Sequence, residues 1–174
     1  PAARHVSTQR RVQQQPAYIL HHRPFRDSSQ LLDLVTRDHG KVAVVARGSR
    51  GPRSRLAGVL RPFLPLSVSW VARTDLGTLT GAEVAGPPLG LRGDHLLAAY
   101  YVNELIINFL HRHDPQPEIF ALYVDLLQRL HSSAGVAACL RVFEMELLGL
   151  LGYGAILKAL ETAPASYVVA VRQA

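Results

Sequence analysis

From Pro16 the chain sets short apolar runs between turn-forming residues, the spacing of strands. Ala17-Tyr18-Ile19-Leu20-His21-His22-Arg23 is one strand, closed by Pro24. Ser29 to Thr36 and Lys41 to Arg47 make two more, joined as a hairpin by Asp38-His39-Gly40. Val59 to Arg73 is extended, with Pro62 and Pro65 confining that end to edge or bulged pairing. After Thr74-Asp75-Leu76-Gly77, Thr78 to Val84 supplies a fifth strand. Beyond Gly86-Pro87-Pro88-Leu89-Gly90 the period becomes helical. Asp94 is placed to cap a helix running to Arg112 that is apolar on nearly all sides, which predicts burial. Ile119, Leu122, Tyr123, Leu126, Leu127 and Leu130 form a one-sided helical stripe, and Val136 to Leu151 a third helix stopped by Gly152-Tyr153-Gly154. Ala155 to Thr162 fits a further helix and Ser166 to Arg172 a strand or extended tail.

These patterns predict an α+β chain: a flexible polar tail over residues 1–15, a β module over 16–86 and an α-helical module over 87–174. Five short strands without a long helix between them fit a small sheet or barrel, with the five-stranded oligonucleotide-binding (OB) barrel the leading candidate.

Charge separates the same modules. Residues 1–86 carry 13 Lys/Arg against 5 Asp/Glu, whereas residues 87–174 carry 6 against 8. Only Lys41 and Lys158 are lysines. Guanidinium presents a planar fork of donors to phosphate, so an arginine-rich module points to a polyanionic partner, solvated surface charge being the alternative. The segment Gly48-Ser49-Arg50-Gly51-Pro52-Arg53-Ser54-Arg55 has no apolar anchor and is expected to be an exposed loop. Arg26, Lys41, Arg47, Arg50, Arg53, Arg55, Arg61 and Arg73 could follow a nucleic-acid backbone. Lys41 and Arg47, six apart, would share one strand face. Phe25, Phe63 and Trp70 are aromatic candidates for base stacking, although a small barrel also needs large side chains inside.

Catalytic chemistry is poorly supported. No GxSxG, Walker or dinucleotide fingerprint occurs. The single cysteine, Cys139, lies among apolar residues and excludes a thiolate cluster. His111-Arg112-His113-Asp114 has the residue types of a metal-assisted hydrolase, but lies at a helix end where polar groups suit the dipole. No metal or other cofactor is expected. With no apolar run of 18 residues and no signal-like start, the sequence argues against a secreted or membrane-spanning protein.

Several segments resemble the bacterial recombination mediator RecO family. They are Ala17-Tyr18-Ile19-Leu20-His21-His22-Arg23-Pro24-Phe25-Arg26-Asp27-Ser28-Ser29, Leu34 to Lys41, Val45-Ala46-Arg47-Gly48 and Arg61-Pro62-Phe63-Leu64-Pro65-Leu66. Tyr101-Val102-Asn103-Glu104-Leu105, Leu140 to Glu144 and Leu147 to Gly154 follow in the same order. The resemblance implies an N-terminal OB fold, a helical domain and no catalytic site. It further implies binding of single- and double-stranded DNA, annealing of complementary strands, and loading of RecA onto DNA coated by single-stranded-DNA-binding protein (SSB), together with RecR. DNA binding would fall on Lys41, Arg47, Arg50, Arg53 and Arg55, with Arg26 and Arg61 beside them. The SSB C-terminal tail would dock on the helices, with Arg141 the candidate for its carboxylate; a salt bridge from Arg141 to Glu144 or Asp125 is the alternative. A cytoplasmic, nucleoid-associated protein would follow. The family usually continues past the glycine-tyrosine-glycine stop, so the helical module is expected to be incomplete. An RNA-binding OB module in translation or RNA processing is the alternative from outside the family.

Overall fold

In a computed structural model, which describes residues 10–132, 135–155 and 158, a β barrel is followed by helices. β1 (Arg10–Phe25), β2 (Ser29–Thr36), β3 (Gly40–Ala46), β4 (Leu66–Ala72) and β5 (Leu76–Val84) close in the order β1-β2-β3-β5-β4. The β3–β5 pair is parallel; the others are antiparallel, and β1 pairs with both β2 and β4. This is the five-stranded closure of an OB fold.

Closure depends on a bend in β1. Gln14 takes a left-handed conformation (φ 51°), and the pairing with β4 shifts register between Val12 and Gln15. Residues up to Ala17 then run along β4, and those from Ala17 onward along β2. The expected tail is therefore corrected over Arg10–Gln15, which is strand. Ladder bonds come from the backbone, so Gln15 can pair with Val68 despite its polar side chain, while Gln13 and Gln14 bulge outward and stay exposed. Residues 1–9 of the expected tail lie outside the described residues.

The run Ala17-Tyr18-Ile19-Leu20 lacks alternation because both of its faces are covered. Ala17 and Ile19 enter the barrel interior with Leu34, Val44, Val68 and Trp70. Tyr18 and Leu20 join Val35 and Phe63 in a second cluster shared with the helices. The extended stretch expected over Val59 to Arg73 is strand only from Leu66; the chain before it turns repeatedly and drops Leu60 and Leu64 into the barrel core.

α1 (Gly93–Phe109), α2 (Pro117–His131) and α3 (Val136–Leu148) pack around Tyr123, Leu127 and Phe143. α3 continues into a π-helical turn, Gly149–Tyr153, which Gly152 kinks from inside at φ 92° before the chain is helical again at Gly154. α1 stops three residues before the expected Arg112 because Leu110 turns extended and Arg112 bridges to Lys41 of β3. Nor is α1 buried all round. Ala98, Ala99, Val102, Asn103 and Ile106 face the core, but Leu97 is 67% exposed. The expected strand at Ser166 to Arg172 lies outside the described residues; of the Ala155 to Thr162 helix only Ala155 and Lys158 are described, and both are helical.

One polar network joins barrel to helices. A register shift between Ile19 and His21 leaves Leu20 out of the β1–β2 ladder. The Asn103 amide donates to the freed Leu20 carbonyl at 2.9 Å, and the Tyr123 hydroxyl donates to the Asn103 oxygen at 2.7 Å. All three residues are buried, so each polar atom needs this partner. Burial pushes the Tyr123 phenol well above its ordinary 10.0 and raises Tyr18 in the same direction.

Candidate nucleic-acid interface

Three turns meet on one side of the barrel: the β1–β2 turn, the segment leaving β3 and the β4–β5 turn. The segment leaving β3 is held by polar contacts in place of an apolar anchor. Ser49 is buried and its hydroxyl donates to the Ala46 carbonyl at 2.9 Å. The Arg50 amide donates to the Ser28 carbonyl at 2.9 Å, tying the segment to the β1–β2 turn. Arg47, Arg50, Arg53 and Arg55 remain exposed on this fixed backbone.

Arg47 stands between two clefts. One, of about 600 Å³, is lined by Phe25, Arg26, Ser28, Ser29, Val45, Gly48 and the β5 residues Leu76 to Thr78. The other, of about 320 Å³, includes Arg73 and Val71. Arg11 lies opposite Val71 in the β1–β4 ladder, so the two side chains share a face and Arg11 flanks the second cleft. Arg10 pairs with Ala72 beside it. Sequence reasoning placed these two arginines in a tail; the one apolar residue near them, Val12, gave too short an alternation to reveal a strand. Among the described residues, Arg26, Arg47, Arg50, Arg53, Arg55 and Arg61 form no ion pair with an acid. Their charges therefore face solvent uncompensated by a direct partner.

Not all of the expected cations gather here. Lys41 does project from the outer face of β3, but its ammonium donates to the Ile107 carbonyl near the end of α1. The His113 amide in turn donates to the Lys41 carbonyl at 2.9 Å. Burial and the neighbouring Arg112 charge lower the Lys41 pKa, with Asp33 pulling the other way. Arg61 lies at a different cleft, with Pro62, Phe63 and Tyr100 at the junction with α1. The structure thus brings Arg26, Arg47, Arg50 and Arg73 together, runs Arg53 and Arg55 on from them, and sets Lys41 and Arg61 apart.

The aromatic candidates divide as sharply. Trp70 is buried in the barrel and Phe63 is buried against Tyr100, ring centroids 4.9 Å apart. Phe25 alone of the three lines the larger cleft, half-buried, with the Arg26 guanidinium 5.3 Å from its ring centroid.

On the helices, Arg141 is exposed beside the exposed Val142, while Leu140 before it is half-buried against the helical core. Neither acid considered for it is its partner: Asp125 pairs with Arg129 at 2.7 Å, and Glu144 accepts from the Tyr101 hydroxyl at 2.7 Å. At the end of α1, His113 faces Asp75 at 3.8 Å and Asp114 accepts from Gln116 at 3.1 Å. Among the described residues, no three His, Cys, Asp or Glu side chains converge as a metal site. No helix among them is long and apolar enough to cross a membrane.

Residues 11–88 match the family model for the Recombination protein O N terminal, and residues 91–159 that for the Recombination protein O C terminal. The chain belongs to the RecO family. Relatives named DNA repair protein RecO include that of Burkholderia pseudomallei, 47% identical over 85% of this chain and 54% of the relative. That of Ralstonia nicotianae is 46% identical over 89% and 56%, and that of Coxiella burnetii 44% over 83% and 62%. The chain spans about half the length of most of these curated RecO relatives.

Proposed function

We propose that this chain supplies the DNA-gripping part of a recombination mediator that anneals complementary single strands in DNA repair. The observation that carries the reading is the position of Arg47 between two clefts, near Arg26, Arg50, Arg53 and Arg55, none of these five being ion-paired to an acid among the described residues. Cations on this side would hold phosphates and screen the repulsion between two strands, leaving base edges free to pair. The work is electrostatic and positional and calls for no catalytic group. The names of the relatives support the repair context.

Within this reading, Arg26, Arg47, Arg50, Arg53 and Arg55 contact single- and double-stranded DNA. Lys41 and Arg61 contribute from the margins. The protein acts in the cytoplasm on nucleoid DNA, together with RecR, and promotes RecA loading onto SSB-coated gaps. Arg141 receives the carboxylate of the SSB tail, with exposed Val142 and Met145 offering apolar contact nearby.

Strand annealing with and without SSB tests the proposal. Reversal of Arg50, Arg53 and Arg55 to glutamate should slow annealing and weaken DNA binding. With five or six phosphates neutralised, log K against log salt should slope about −3.5 to −4 on single strands, flattening in the mutant. Unchanged affinity in a folded mutant removes the arginine segment from the site. Preference for RNA over DNA of equal sequence would favour an RNA-binding module, since it requires contacts to the 2′-hydroxyl. Arg141→Ala should weaken SSB-tail binding and leave naked DNA nearly unaffected; equal loss of both, or of neither, rejects that assignment.

A further inference from the structure

The geometry points to Phe25 as a base-stacking residue that makes the larger cleft select unstacked nucleotides over duplex, with Arg26 as its occupant when no nucleic acid is bound. This rests on the proposed DNA-binding reading and goes beyond its phosphate contacts.

Phe25 is the last residue of β1, held across the ladder from Ser29. It is half-buried, so part of a rigidly placed ring faces a cleft of about 600 Å³. That is room for one or two nucleotides. The cleft offers hydroxyls from Ser28 and Ser29, apolar contact from Val45, and the Arg47 charge at its edge. A single-stranded nucleotide needs these same features: a flat apolar face for the base, donors for the sugar and a cation for the phosphate.

Arg26 makes the site conditional. Its backbone is left-handed (φ 55°), a conformation that side chains other than glycine rarely adopt, and it brings the guanidinium over the Phe25 ring at 5.3 Å. Among the described residues it has no acidic partner to hold it there. An incoming base takes the ring, and the displaced guanidinium moves to a flanking phosphate. Bases within a duplex are already stacked on both faces, so only unpaired nucleotides make this exchange.

The test compares Phe25→Ala, Phe25→Trp and Arg47→Glu in the full chain, using a fluorescent single-stranded oligonucleotide and a duplex of the same length. Phe25→Ala should lose about 5- to 160-fold in single-strand affinity, the range set by removing one stacked base, and change duplex affinity less than about twofold. Phe25→Trp should retain binding and show tryptophan quenching by single strands but not by duplex. Arg47→Glu should weaken both substrates. Loss of both by Phe25→Ala, in a protein with an unchanged melting temperature, overturns the stacking role and makes Phe25 a support for the turn. Loss of neither also overturns it, provided Arg47→Glu still weakens both. If Arg47→Glu is silent, the DNA-binding reading of the cleft itself fails.

Discussion

Two cations six residues apart flank β3, Lys41 near its start and Arg47 just past its end, yet they live in opposite surroundings. At the Lys41 end, the ammonium donates to Ile107, the backbone bonds to His113 and bridges to Arg112, and Asp33 lies within electrostatic reach. At the other end, Arg47 faces solvent between two clefts with other arginines near it. Strand periodicity sets which way a charge points. What the charge does depends on what the rest of the chain lays over it. Here the loop after α1 covers one end and leaves the other bare.

The largest expected effect attacks the covered end. Gly40 has φ +64°, and a Cβ there would sit 2.0 Å from the Asp114 carbonyl oxygen. Gly40→Ala should therefore destabilise by about 3–4 kcal/mol, combining the clash with left-handed strain. Chemical denaturation measures the loss, and a cost below about 1 kcal/mol would mean the loop yields freely.

Asn103→Leu should cost about 2–3 kcal/mol, because it strands the Leu20 carbonyl and the Tyr123 hydroxyl in the core. The same network predicts an alkaline response. Tyr123 and Tyr18 both titrate above the ordinary 10.0, so the folded state disfavours their ionisation. Their contribution to stability is complete below pH 10 and is lost as pH rises towards their folded values. A melting temperature that falls above pH 10, and falls less in Tyr123→Phe, would bear this out; a flat profile would not.

The smallest effect draws the contrast between the ends most directly. Arg47→Met should reduce the single-strand salt slope by about 0.7, the share of one phosphate contact. Lys41→Met should reduce it by less and show its cost in the stability of the fold. Equal slope changes would return Lys41 to the DNA track on the same footing as Arg47.

Much of this was visible in sequence. β2 matches its expected span, Ser29–Thr36, because clear turn residues bound it on both sides. The α2 stripe also survives, its six residues all buried on one face. The start of β1 was hidden because Gln13 and Gln14 bulge out between the paired Val12 and Gln15, with the Gln14 N–H on the Ser69 hydroxyl, so polar residues interrupt the strand pattern. The arginine segment was legible as charge but not as a docked turn, since its anchors are a serine hydroxyl and an amide. Separating Lys41 from Arg47 required knowing where Ile107 lies, 66 positions away, and no local pattern carries that.

The Leu20 bulge bears on how this protein can be dissected. The proline-glycine stretch after β5 looks like a natural place to cut, yet Tyr18, Leu20, Val35 and Phe63 form a cluster with residues on the far side of it. A fragment ending there would carry a bare greasy face and an unbonded peptide oxygen, and should clump or misfold when expressed alone. Shortened versions meant for crystals or binding work need to keep α1 and α2 attached.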